Sequence, residues 1–188
     1  MRVQFIDLSL AGARERRGAA EILLETFSAS GNPTWTTLPA AEEEVSDCLR
    51  KEYVARAALS DEDHVVAWGG LRPMYGNTTW ELHPLVVDNR CHGLGIGRAL
   101  LAHLEEIARS RGVTGIVLGT DDQTGSTSLS VFDPAATTPS EAIRDLAQLP
   151  GRHPHPFKFY ERCGYRVVGM IPDANGRGQP DILMWKPL

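Results

Sequence analysis

Trp80 to Arg111 reads WELHPLVVDNRCHGLGIGRALLAHLEEIARSR, and the fold follows from how that stretch divides. Leu82, Leu85, Val86 and Val87 end an apolar strand. Gly93, Gly95 and Gly97 crowd a turn, and Ala99, Leu100, Leu101, Leu104 and Ile107 then recur at helical spacing. A strand running through close-set glycines into a helix brings backbone N–H groups and a positive dipole end to one point. Such a turn is an anion cradle suited to a phosphate or pyrophosphate, and glycines there admit positive φ and close approach of a ligand. Gly93-x-Gly95-x-Gly97 is neither the dinucleotide fingerprint nor a P-loop. Taken alone, it marks either a phosphate-binding turn or a strand–helix turn with no ligand.

The 188 residues favour a single domain, 1–188, large enough for a real hydrophobic core. A net charge of −5 argues against a general nucleic-acid binder and suits a cationic small molecule or peptide. Cys48, Cys91 and Cys163 lie far apart with no C-x-x-C pair, which supports neither a zinc site nor a disulfide framework. Asp7 interrupts the first apolar run and Arg14, Arg16 and Arg17 follow it, the reverse of a signal peptide. No stretch approaches the length of a membrane span. These features predict a cytoplasmic protein with neither a nucleic-acid nor a membrane partner.

Alternation predicts a first strand over Arg2 to Leu8, and an apolar side on Ala20, Ile22, Leu23, Leu24 and Phe27 predicts a helix over Arg14 to Phe27. Ser28 to Pro39, with Gly31, Pro33 and Pro39, reads as a loop whose Trp35 either packs on the core or walls a substrate cleft. A second helix is expected over Ala40 to Lys51, with Glu42, Glu43 and Glu44 in its first turn, solvated and favoured by the dipole. Tyr53 to Leu59 and His64 to Arg72 read as strands, and Gly69 and Gly70 suggest a bulge or close backbone approach in the second. Met74 to Asn77 forms a turn. After the central helix, Gly115 to Gly119 is a short buried strand ending in Asp121 and Asp122. The polar, proline-rich stretch at about 123–156 reads as an insertion lining the substrate side, with one helix over Ser140 to Leu149 capped by Ser140. A short helix over Phe157 to Cys163, ended by Gly164, precedes the last strands at Tyr165 to Met170 and Ile182 to Lys186. His153 and His155 lack further ligands nearby and read as loop structure, so no metal site is expected.

This order of elements, with HGLGIGRALL and FYERCGY at their separation, resembles the GCN5-related N-acetyltransferases over essentially the whole chain. The implied fold is α/β (α+β), a mixed central sheet flanked by helices. The family's signature is Gln/Arg-x-x-Gly-x-Gly/Ala, and here His92, Gly93, Leu94, Gly95, Ile96 and Gly97 fall on it, with His92 where Gln or Arg is usual. WELHPLVV, LGTDD, TSLS, HPFKFYERCGY and PDILMW, in that order, resemble more narrowly the aminoglycoside 6′-N-acetyltransferases with a Trp-Glu-Leu-His-Pro-Leu strand.

The resemblance implies transfer of an acetyl group from acetyl-CoA to the 6′-amine of an aminoglycoside, in a homodimer. The amine must lose a proton before it can attack. Glu81 and His83 alternate along the strand and so share a face. Either could take the proton, directly or through water; equally, Glu81 could only bind the substrate ammonium and His83 only make a structural hydrogen bond. Pro84 lacks an N–H and suits a bulge. The resemblance places the Leu85 N–H at the thioester oxygen, Leu85, Val86 and Val87 against the pantetheine arm, and His92 to Gly97 with Arg98 at the pyrophosphate. It gives Tyr160 the departing thiolate, as proton donor or sulfur contact; the alternative is packing beside Phe157. Asp121, Asp122, Asp133 and Asp181 are candidates for binding substrate ammonium groups, or else caps and turn residues. Tyr75 and Trp35 are candidate walls for the sugar rings.

Two rival functions remain at this point: an acetyltransferase for another amine (a polyamine, a peptide N-terminus or a protein lysine), and a non-catalytic acetyl-CoA-binding module. A shared fold does not separate the first from the aminoglycoside reading. The combination of Glu81, His83 and Tyr160 argues against the second.

Overall fold

The computed structural model describes residues 2–30 and 34–188. Gly31 and Pro33 of the expected loop lie outside them. The chain forms two compact units, Met1–Ile116 with Leu188, and Val117–Pro187.

In the first unit, β1 (Gln4–Asp7), β2 (Val54–Leu59), β3 (Val65–Met74) and β4 (Thr79–Val87) pair antiparallel in sequence order. Helix α1 (Ala13–Ser30) buries Ala19, Ala20, Ile22 and Leu23 against Trp68, whose indole N–H donates to the Ala19 carbonyl at 2.8 Å. It runs three residues past the expected Phe27 because Ser28, Ala29 and Ser30 contain no helix breaker. Helix α2 (Leu38–Asp47) also starts earlier than expected. Thr37 is its N-cap, accepting from the Ala40 N–H at 3.4 Å, and Pro39 sits in its first turn. Glu42, Glu43 and Glu44 therefore lie in the body of α2, not in its first turn, which corrects the sequence reading.

Between β3 and β4 the register slips. Gly69 faces Leu85 and Leu71 faces Leu82, so β4 advances one residue more than β3 across His83 and Pro84. The two glycines are required there. A Cβ on Gly70 would lie 2.6 Å from the His83 carbonyl oxygen, and one on Gly69 would lie 3.0 Å from that of Pro84. Burial alternates through β4, with Trp80, Leu82, Pro84 and Val86 inward and Glu81, His83, Leu85 and Val87 half-buried on the other face. After Tyr75–Asn77 (a 3-10 turn before β4) and Asn89–Cys91 (a 3-10 turn after it), α3 (Ile96–Ser110) buries Leu100, Leu101, Leu104 and Ala108.

Strand β5 (Gly115–Asp121) carries the chain into the second unit and is two residues longer than expected. There, β6 (Arg166–Ile171) and β7 (Asp181–Pro187) pair antiparallel, and α5 (Phe157–Arg162) buries Phe157 and Tyr160. The stretch at 123–156 is ordered by a 3-10 turn at Ser128–Val131, a bridge between Thr127 and Gln148, and α4 (Pro139–Arg144). The cap of α4 is Thr138 rather than Ser140, and the helix ends at Arg144. Thr138 and Glu141 close a reciprocal capping box, which fixes the cap two residues upstream of the expected position.

Candidate active site

The half-buried face of β4 carries an ion pair and an imidazole–carboxylate contact. Arg72 on β3 faces Glu81 in the register, and its Nε donates to Glu81 Oε2 at 2.5 Å. That hydrogen bond holds the guanidinium above its ordinary range. His83 Nε2 lies 3.2 Å from Glu44 Oε1 of α2. The hydrogen bond from His83, joined by its charge and that of Arg72, holds the Glu44 carboxyl below its ordinary value despite partial burial. The Cys48 thiol donates to the same Glu44 oxygen at 3.4 Å; burial, with that carboxylate beside it, pushes the thiol far up and keeps it unreactive. Trp35 closes the cluster. It is buried, its ring set edge-on to Phe27 at 4.5 Å and tilted 6.2 Å from that of His83. The core position is the one it takes, and from there it borders the imidazole.

The sequence singles out Glu81 and His83 as candidates but not the partners beside them, Arg72 and Glu44. Glu44 was hidden by its assignment to a solvated helix start. Arg72 carried a usable signal, since a cation opposite a carboxylate on the neighbouring strand is a favoured cross-strand pair.

The glycine turn has the form expected of an anion cradle. Gly93 and Gly95 adopt φ of 78° and 81°, and a Cβ on either would meet nothing within 4 Å. Gly95 caps α3, so the helix N-terminus opens at Ile96 with Gly97 already helical. Leu94 and Arg98 are exposed and Ile96 is buried. His92 turns back on the strand, its Nε2 lying 2.9 Å from the Val87 carbonyl oxygen. The open positive-φ backbone and the dipole end together fit a pyrophosphate.

Tyr75 is 75% exposed, on the turn that leads into β4. In the second unit, burial pushes the Tyr160 phenol far above its ordinary value, so it keeps its proton. Its ring is edge-on to those of Phe159 and Tyr165. Asp121 is exposed; its carboxylate accepts from Asn175 Nδ2 at 2.6 Å and its carbonyl oxygen lies 3.0 Å from His155 Nε2. Asp181 packs on Gly119, where a Cβ would stand 2.6 Å from its carboxylate. Asp133 is exposed and accepts from the Ala135 N–H at 2.9 Å as a turn residue.

Asp122 is a correction. It is fully buried, and its oxygens accept from the Ser126 N–H, the Thr127 N–H and the Thr127 hydroxyl at 2.7–2.8 Å. A carboxylate so enclosed and so fully engaged organises its loop and is closed to a substrate ammonium. His155 is likewise structural, 4% exposed, with the Phe157 N–H donating to its Nδ1 at 3.2 Å. Among the described residues, no group of three or more His, Cys, Asp or Glu is placed to hold a metal ion.

The acetyltransferase (GNAT) family model matches residues 11–132. No curated protein matches the chain. Solved structures do. An aminoglycoside 6′-N-acetyltransferase complexed with coenzyme A is 34% identical, covering 98% of this chain and 96% of that one, with a TM-score of 0.85. The aminoglycoside 6′-N-acetyltransferase from Enterococcus faecium is 34% identical over 100% of this chain and 97% of its own, with a TM-score of 0.84. An aminoglycoside 6′-acetyltransferase type Ii is 30% identical over 100% and 97%, with a TM-score of 0.69. A family model over most of the chain, and relatives matched from end to end, agree with the strand, bulge and glycine turn in the structure. The chain therefore belongs to the acetyltransferase (GNAT) family, with that family's α+β fold, a mixed sheet flanked by helices, and acetyl-CoA as its cosubstrate.

Proposed function

We propose that this acetyltransferase acetylates the 6′-amine of aminoglycosides. The observation that carries the reading is continuous in sequence: β4 presents Glu81 and His83, each with an ionic partner, and runs through its bulge into the glycine cradle. The three relatives named above, all matched nearly from end to end, support the substrate class.

Acetyl-CoA supplies a thioester whose acetyl carbon passes to the amine nitrogen as the C–S bond breaks. Around that exchange the residues have distinct tasks. His83 or Glu81 accepts the proton the amine gives up, directly or through water. The imidazole suits this task because Glu44 stands ready to balance a charge on it. Glu81 binds a substrate ammonium, Tyr75 offers aromatic surface, and Trp35 backs the His83 ring from the core. The Leu85 N–H stabilises the developing oxyanion. Strand residues Leu85 to Val87 hold the pantetheine arm, and the turn from His92 to Gly97, with Arg98, holds the pyrophosphate. Tyr160 gives its proton to the departing thiolate. Asp121, Asp133 and Asp181 add negative charge toward the other ammonium groups.

The same proposal covers a single acetyltransferase domain with its insertion near 123–156, a homodimer, a cytoplasmic setting and a role in antibiotic resistance. The absence of any disulfide among the three cysteines and the use of acetyl-CoA support the cytoplasmic setting. No helix among the described residues is long and apolar enough to cross a membrane. The dimer rests on the resemblance, and light scattering of the purified chain tests it.

The deciding experiment is thiol release from acetyl-CoA with kanamycin A, against paromomycin, which has a hydroxyl in place of the 6′-amine. Turnover with kanamycin alone is expected, with acetylation at the 6′ nitrogen by NMR. Turnover with both overturns the 6′ assignment. Turnover with neither, but with a polyamine or peptide, selects the rival acetyltransferase reading.

A further inference from the structure

The carboxylate that the proposed reaction offers to an ammonium already holds a cation. Arg72 Nε donates to Glu81 Oε2 at 2.5 Å, and the two residues face each other across the β3–β4 register. Arg72 also acts on Glu44, favouring its ionised form. The face therefore carries two carboxylates and one guanidinium, and the guanidinium subtracts from the attraction that face exerts on a polycation. A guanidinium never releases its charge at usable pH, so the subtraction is permanent. It is also adjustable. The Arg72 side chain is 40% exposed and bonds only one Glu81 oxygen, so it can swing aside without crossing the core.

We infer that Arg72 is a specificity-determining residue, an internal cation that competes with the substrate ammonium for Glu81. The inference rests on the reading of Glu81 as a substrate-binding carboxylate. An acceptor must displace the guanidinium or share the carboxylate with it. Acceptors with several ammonium groups can meet that cost through other contacts, whereas simple monoamines cannot. Arg72 thus trades affinity for selection against small amines.

The test is the dissociation constant and KM for kanamycin A, and for a simple monoamine such as ethanolamine, in the wild type, Arg72→Gln and Arg72→Lys. A half-exposed pair in water leads to a modest expectation, about threefold to tenfold tighter binding of kanamycin A to Arg72→Gln. The same variant gains more for the monoamine, so its preference for kanamycin A falls below that of the wild type, and an equal gain for both acceptors overturns the selectivity role. Binding to Arg72→Gln responds more steeply to salt, because one more attraction is uncompensated. Arg72→Lys, which keeps the charge, stays near the wild type. Unchanged or weaker kanamycin binding by folded Arg72→Gln overturns the inference.

Glu81→Gln and Arg72→Gln/Glu81→Gln give an independent arm if Arg72→Gln fails to fold. The single change weakens binding because it leaves the guanidinium without its carboxylate, and the double change recovers part of the loss. No recovery in the double variant also overturns the inference. If the wild type acetylates spermidine and not kanamycin, the aminoglycoside reading fails and the Arg72 comparison is made with spermidine, so the two failures stay distinct. If it acetylates no amine, both fall.

Discussion

The Glu44 carboxylate stands 3.2 Å from the His83 imidazole, linking two residues that are 39 positions apart in sequence. That pair makes His83 part of an acid–base unit rather than a lone ring. It also gives the first prediction its sign. Glu44 ionises more readily in the folded chain than its ordinary value of 4.5, chiefly through the hydrogen bond from His83. A depressed folded pKa adds stability above the unfolded value, and that stability is lost as the pH falls below 4.5. His83→Gln should move the Glu44 carboxyl back toward its ordinary range, read by carbon NMR of the side chain. It should also flatten the acid limb of stability and slow turnover by about 100-fold or more if the imidazole is the base. An unmoved Glu44 titration would show that the pairing is not formed in solution.

Asp122 gives a prediction on the opposite footing, since it concerns folding and not substrate. Its oxygens serve three donors in a fully buried turn. Asp122→Asn turns an amide group toward those donors and leaves at least one unpaired, a cost of about 1–3 kcal/mol. Urea unfolding should record that loss, while KM for the aminoglycoside in the folded fraction stays unchanged. A raised KM with unchanged stability would return Asp122 to the substrate site.

The phosphate cradle is tested at Gly95. Its φ of 81° penalises any Cβ, and the space around it is open. Gly95→Ala should cost about 1–2 kcal/mol of stability from the left-handed backbone alone. It should also raise KM for acetyl-CoA, because the new methyl enters the space offered to the phosphates. KM for the acceptor amine should not follow. Equal changes in both constants would mean the substitution acts through the fold and not through the cradle.

What was legible in the sequence divides by the range of the interaction that fixes it. The glycine turn and the start of α3 were readable because Gly93 and Gly95 set the backbone locally. The shared face of Glu81 and His83 follows from strand alternation, which the bulge at Pro84 preserves in the pattern of burial. Gly69 and Gly70 announced close backbone approach, and the carbonyls of Pro84 and His83 are what approaches. The starts of α2 and α4 were misplaced although Thr37 with Pro39, and Thr138 with Glu141, were local signals available in the sequence. The expected start falls two residues late for α2 and, with Ser140 in place of Thr138 as the cap, one residue late for α4. Arg72 follows once β3 and β4 are paired across their connecting turn, whereas Glu44 depends on which helix packs against β4, which no local pattern states. Asp122 shows the same limit, since a carboxylate at a strand end looks identical whether its loop folds over it or away from it.

Tyr160 supplies the last prediction, in which pH separates two roles for one hydroxyl. Burial raises its pKa well above the ordinary 10.0, with the nearby Cys163 adding to the shift. A raised folded pKa means that the stability it lends is complete below pH 10 and declines as the pH climbs toward the folded value, because the unfolded phenol ionises first. Tyr160→Phe cannot ionise in either state, so it should remove this part of the alkaline loss of stability above pH 10. If the hydroxyl also protonates the departing thiolate, the same variant should lose about 100-fold or more in kcat at neutral pH with KM for acetyl-CoA little changed. The loss should shrink for an acyl donor whose thiol leaves readily as the anion, since such a leaving group has less need of a proton. A purely packing role predicts the alkaline stability change without the drop in kcat, and that result would take Tyr160 out of the mechanism.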